Sequence, residues 1–209
     1  MINILTLDSH PVIHLGIQSF IKDSPKFQVS GQATSAKEAL KLLSKTAFDI
    51  IILGLELNQE SLVNFITEVH EKYSHIQIIM FSEYSENIYA PSLLKAGAMG
   101  YLSKKIDQKT FISAVEKIYE TKLRVTSAFS NHINASIDLR RPRTNFGKLS
   151  PREMEVLKLL IEGHKNISIA ANLKLSTKTI NTYKMRLYKK LQVANASELY
   201  VQAKQLSLI

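Results

Sequence analysis

The chain contains no cysteine, so disulfides, thiolate catalysis and thiolate metal sites are all excluded. It contains no tryptophan, and no apolar run approaches the ~20 residues that a membrane-spanning helix needs. Residues Met1-Ile-Asn-Ile-Leu-Thr-Leu-Asp8 lack a basic segment and enter a strand pattern at once, so no signal peptide is expected and a cytoplasmic location is. Acid is scarce in one region only. Residues 125–209 hold 14 Lys and Arg against 5 Asp and Glu, whereas residues 1–124 hold 13 of each.

What is present fits two soluble globular domains. The 209 residues are 45% hydrophobic and 22% charged, an ordinary balance, and the length suits two units better than one. The net charge of +9 lies entirely in the C-terminal two-fifths. A neutral first domain joined to a basic second one points to an anionic partner at the C-terminal end. Nucleic acid fits better than membrane, because the cations accompany Asn and Thr and there is no long apolar face.

Strand and helix signals alternate through the first 120 residues. Strands are expected at Ile2–Leu7, Phe27–Ala33, Asp49–Leu53, Ile76–Phe81 and Met99–Leu102, with helices at Val12–Ile21, Ser35–Ser44, Glu60–Tyr73, Ile88–Ala96 and Asp107–Glu120. Asp49-Ile-Ile-Ile-Leu53 is the most uniformly apolar, as a central strand covered on both faces must be. Five such βα units predict an α/β doubly wound, flavodoxin-like domain of five parallel strands, with its chemistry at the carboxyl ends of the strands. Those ends carry Asp8, Ser9 and His10, then Gly54 and Glu56, then Ser82, then Lys104.

On Leu7-Asp-Ser-His-Pro11, Phe48-Asp-Ile-Ile-Ile-Leu-Gly54, Ile79-Met-Phe-Ser82 and Lys95-Ala-Gly-Ala-Met-Gly-Tyr-Leu-Ser-Lys104, residues 1–122 resemble a bacterial response-regulator receiver domain. The resemblance implies an aspartyl phosphate acceptor where this chain has Gly54, and a second Mg²⁺-binding acid where it has Ser9. Glycine cannot form an acyl phosphate. With both carboxylates missing, Asp8, Ser9, Gly54, Ser82 and Lys104 read as a degenerate phosphorylation pocket that holds neither metal nor cofactor, with Lys104 paired to Asp8. An engineered acceptor knockout would leave Ser9 unexplained, so two losses in one pocket favour a naturally degenerate receiver. His10 and His14 stand four apart at a helix start, a spacing that can ligate metal, but no acid or thiol completes the set and both read as surface histidines. His164, beside Gly163, reads as a solvated turn residue.

Residues 123–147 lose all periodicity and read as a linker; Arg140, Arg141 and Arg143 within it keep it solvated or add phosphate contacts. Residues 148–209 read as an all-α four-helix domain. Ser150, Pro151 and Glu153 mark a helix start, and Gly163 marks its end. A second helix at Asn166–Leu173 turns tightly into Ser176–Leu191, which has two faces. Ile180, Tyr183, Leu187 and Leu191 share one side at helical pitch. Lys178, Asn181, Thr182, Met185, Arg186 and Lys189 share the other, and none of the sixteen residues is acidic. A helix-turn-helix follows, with a last helix at Ala196–Leu206 burying Leu199 and Ala203.

Leu149-Ser-Pro-Arg-Glu153, Glu162-Gly163, Ile169-Ala170, Leu173, Leu175-Ser176, Lys178-Thr179-Ile180 and Lys190-Leu191 resemble the LuxR-type DNA-binding domain, with Ser168 replacing the usual acid. Receiver plus this domain resembles the NarL/FixJ class of transcription regulators, and Thr182-Tyr183-Lys184 is similar to its virulence and fimbriae subset. By position, Asn181, Thr182 and Met185 face base edges, Asn181 reaching adenine and the other two a thymine methyl. Lys178, Lys184, Arg186, Lys189 and Lys190 hold phosphates. The resemblance implies a homodimer formed partly through Ala196–Lys204. The whole reads as a non-enzymatic, double-stranded-DNA-binding regulator that works without aspartyl phosphorylation. The alternatives are heterodimerisation with another regulator, or phosphorylation at a non-standard residue.

Overall fold

Side chains that alternate between two faces can all be apolar only where both faces are covered. The computed structural model describes residues 1–57, 61–122, 125–126 and 145–205, and in it the inner strands meet that condition. Ile50–Leu53 (β3) and Gln77–Ser82 (β4) are buried at every position. They lie inside a parallel sheet with Ile2–Leu7 (β1), Phe27–Ala33 (β2), Gly100–Ser103 (β5) and a two-residue strand Val125–Thr126 (β6), in the order β2-β1-β3-β4-β5-β6. β6 extends the sheet by one short strand beyond the expected five, at residues read from the sequence as the start of the linker.

The helices between strands are set by local chemistry. Pro11–Ile21 (α1) begins with proline, whose missing N–H costs nothing at a helix start. Ala36–Leu43 (α2), Leu62–Lys72 (α3) and Gln108–Thr121 (α5) begin at Ser35, Ser61 and Asp107, each of which accepts a first-turn amide. Glu86–Ala96 (α4) carries Pro91 within it. Against one face of the sheet, Ile4, Ile52, Ile79 and Leu102 pack with Ile17 and Ile21 of α1 and with Phe111, Val115 and Ile118 of α5. Phe111 sits edge-on to Phe81, with ring centroids 5.3 Å apart.

The chain divides into two compact units, Met1–Glu83 with Gly97–Ile137 and Tyr84–Ala96 with Asp138–Ile209. In the second, a 3-10 turn at Phe146–Lys148 precedes Pro151–Ile161 (α6), Asn166–Leu173 (α7), Thr177–Leu191 (α8) and Ala196–Gln205 (α9). Gly163 follows α6 with φ +85°, a conformation that L side chains resist. The core of α6 to α9 is Met154, Val156, Leu157, Ile161, Ile169, Leu173, Ile180, Leu187, Leu191, Leu199 and Ala203. Phe146 is buried too, at the end of the stretch read as linker. Arg140, Arg141 and Arg143 lie outside the described residues.

Candidate functional site

α8 is built to present one face and hide the other. Ser176 caps it, accepting from the Thr179 amide at 3.1 Å, and Gln192 closes it in the left-handed region at φ 59°. Ile180, Leu187 and Leu191 are buried against α6 and α7, while Tyr183 is only partly covered. On the opposite side Lys178, Asn181, Thr182, Met185, Arg186 and Lys189 line one shallow depression of about 540 Å³. Met185, one of the residues lining it, is 66% exposed. Thr182 donates its hydroxyl to the Lys178 carbonyl at 3.1 Å, which leaves its methyl outward. Among the described residues no carboxylate pairs with Lys178, Arg186 or Lys189.

Two of the lysines assigned to phosphates lie elsewhere. Lys184 is half-buried, with its ammonium 5.7 Å from the Tyr188 ring centroid. Lys190 is exposed but tied to its own domain, 2.6 Å from a Glu153 carboxylate oxygen and 3.4 Å from the Lys148 carbonyl. That same Glu153 oxygen accepts the Ser150 amide at 2.7 Å, and the Glu153 amide donates back to the Ser150 hydroxyl, a complete capping box. Burial pushes the Glu153 carboxyl up, but the Lys190 ammonium and the Ser150 donors outweigh it and hold it below the usual carboxylate range. The Ser-x-x-Glu spacing was readable as a cap. Nothing in the sequence marked Lys190, 37 residues away, as the third member.

The carboxyl ends of the strands bring Asp8, Ser9, Gly54, Ser82 and Lys104 to the first unit. β1 and β3 pair in register through Leu7 and Leu53, so Asp8 and Gly54 emerge side by side. The Asp8 carboxylate is almost fully buried. Lys104 donates to one of its oxygens at 2.8 Å, and the His10 backbone amide and ring Nδ1 lie at 2.9 Å from the other. It fills the space beside Gly54: a Cβ there would collide with a carboxylate oxygen and stand 2.9 Å from Asp8 Cγ. The expected Lys104–Asp8 pair is thus present, with His10 as a partner that the sequence did not name. Among the described residues no cluster of His, Asp and Glu could hold a metal ion.

His14 corrects one expectation. It is 4% exposed, not a surface histidine, with Nδ1 2.7 Å from the Thr6 hydroxyl and Nε2 3.0 Å from the Asp8 carbonyl. A carbonyl can only accept, so Nε2 carries a proton and donates to it. α1 turns this position toward β1, and hydrogen bonds at both ring nitrogens make its burial tolerable.

The geometry of the first unit leads to four expected results. Burial raises the Asp8 carboxyl, but Lys104 and His10 together outweigh it and leave it below the ordinary value. A carboxyl that titrates lower when folded stabilises fully above its unfolded value near 4, and that contribution vanishes as pH falls through the folded one. Hydrogen-exchange protection of β1 and β3 amides should therefore drop below about pH 4. Asp8→Asn should lose about 2 kcal/mol at pH 7 and show a flatter acid limb. Gly54→Ala should cost about 1–2 kcal/mol, because Asp8 must leave its partners to make room. Gly16→Ala, in a helix with nothing within 4 Å of its added carbon, should be neutral or stabilising.

Comparison with known proteins was consistent along the whole chain. The family model described as "Response regulator receiver domain" matches residues 4–116, and that described as "Bacterial regulatory proteins, luxR family" matches residues 147–203. Response regulator UvrY of Escherichia coli (strain K12) is 28% identical over 200 residues, covering 95% of this chain and 92% of UvrY. The Fimbriae Z protein of the same organism is 28% identical over 210 residues, covering 99% and 98%. Among solved structures, RcsB from Salmonella enterica serovar Typhimurium, bound to promoter rprA in the presence of phosphomimetic BeF3-, shares the fold. It superposes with TM-score 0.78 at 22% identity and 100% coverage of both chains.

Proposed function

Because the chain belongs to the response-regulator receiver family and carries a LuxR-type DNA-binding domain, we propose that it is a sequence-specific transcription regulator that reads double-stranded DNA without aspartyl phosphorylation. The observation that carries the DNA reading is the α8 face: three cations, with no carboxylate partner among the described residues, line a single depression with Asn181, Thr182 and Met185. Lys178, Arg186 and Lys189 hold phosphates there, and the methyl groups of Thr182 and Met185 meet thymine. Lys190 drops out of the phosphate set because Glu153 holds it. Lys184 lies at the flank.

The first unit acts as a pseudo-receiver. Gly54 stands where an acceptor would, Ser9 replaces an acid, and Asp8 occupies the vacant space with Lys104 bound to it. Asp8, the one carboxylate among Asp8, Ser9, Gly54, Ser82 and Lys104, is already held by Lys104 and His10, so an arriving phosphoryl group would meet an occupied acid. The protein acts in the cytoplasm, as a homodimer formed partly through α9. That helix exposes Tyr200 and Val201, with Ser197 on the same face, and an apolar strip of this kind suits a second copy. Two half-sites bound together would raise the modest affinity of one module by effective concentration.

A footprint of the purified, unmodified chain on genomic DNA tests this reading. Protection of discrete sites that weakens on Asn181→Ala supports it. No protection by the chain alone, with protection once another regulator is added, would instead favour heterodimerisation.

A further inference from the structure

Asn181 is not free on its face. The Nδ2 of Asn166, the first residue of α7, donates to Asn181 Oδ1 at 2.7 Å across the helix-turn-helix. Among the described residues the Nδ2 of Asn181 has no partner of its own. An amide whose carbonyl is engaged turns its donor end to the open side. The positive end of the α7 dipole favours the Asn166 oxygen turned toward the helix and its NH2 turned away. Thr182 beside it has its hydroxyl occupied by the Lys178 carbonyl. The pair therefore offers DNA one amide donor next to one methyl.

We infer that Asn166 sets the base preference of Asn181, restricting it to edges that accept hydrogen bonds. Guanine N7 and O6 fit best, and the N4 amino group of cytosine is rejected. This deepens the DNA reading proposed above, on which it rests, and departs from an adenine pairing that needs the Asn181 carbonyl as well. Asn166 is a positioning residue: it acts through Asn181 and need not touch a base.

Selection of bound duplexes from a random library by the full chain tests this, with wild type, Asn181→Ala, Asn166→Ala and Asn166→Asp compared. The base step whose preference changes in Asn181→Ala is the one read. There the wild type should favour guanine over cytosine by about tenfold, the worth of one good hydrogen bond. Asn166→Ala should reduce this to less than about threefold and leave other steps unchanged. Asn166→Asp accepts from Asn181 Nδ2, turns Oδ1 outward, and should shift the preference to cytosine or adenine, which present an amino donor. A carboxylate also suits a helix N-terminus, so this variant should melt no lower than wild type. Suppose Asn181→Ala changes a step while both Asn166 variants weaken all sequences alike and leave the profile unchanged. The inference is then overturned and the DNA reading stands. A wild type that enriches no sequence overturns both.

Discussion

Replacing Lys178, Arg186 and Lys189 together with alanine is expected to lower affinity for the chain's own DNA site about a hundredfold at 0.15 M salt. The slope of log affinity against log salt should flatten by about three. Each of these cations lines the α8 depression and has no carboxylate partner among the described residues, so each is available to displace a counterion from a phosphate. Base preference should survive, because the residues that face base edges are untouched. Lys190→Ala is the informative contrast. Its ammonium is bound to Glu153, so its loss should leave the salt slope unchanged and appear as reduced stability. If Lys190→Ala flattens the slope as each of the other three does, the ion pair opens on DNA and the assignment of phosphate contacts must change. Fluorescence anisotropy titrations at several salt concentrations measure both quantities.

Glu153→Ala should destabilise the second unit by about 2–3 kcal/mol. The substitution removes the acceptor of the Ser150 amide and with it half of the capping box, a loss of about 1 kcal/mol by itself. It also strips Lys190 of its carboxylate. That lysine is 39% exposed and can recover water, so the cost stays below that of breaking a fully buried pair. Melting of the C-terminal helices should fall by roughly 10 °C or more. The pH dependence separates this from simple loss of packing. Glu153 is held below its usual range when folded, so its contribution is present above its unfolded value near 4.3 and disappears as the solution is acidified through the folded one. Glu153→Gln should lose much of the stability at pH 7 and most of that acid dependence. A variant as stable as wild type at pH 7 would show that Ser150 and Lys190 find other partners.

The elements were legible wherever one local pattern decided them. β1, β2 and α7 fall on the predicted residues, because an apolar run ends at Leu7, polar turns bracket Phe27–Ala33, and a tight turn after Leu173 stops the short helix. The buried side of α8 was read from spacing alone, and only Tyr183 is less covered than predicted. What escaped depends on partners far along the chain. His14 lies on a helix whose apolar residues gave no hint that Thr6 and the Asp8 carbonyl would satisfy an imidazole inside. Lys190 looked like another cation on a basic helix until Glu153 came close. Phe146 sat in an aperiodic stretch, so its burial had no signature. The sequence places glycine at residue 54 and serine at residue 9, and only the structure shows that the Asp8 carboxylate fills the space beside Gly54.

The proposed DNA reading owes nothing to aspartyl phosphate. Its most direct test is the Kd of the purified chain for a footprinted site, before and after incubation with acetyl phosphate and Mg²⁺, with the intact mass recorded on the same samples. The prediction is an unchanged mass and an unchanged Kd. A mass gain of one phosphoryl group, lost on replacing a single carboxylate and accompanied by a changed Kd, would contradict it.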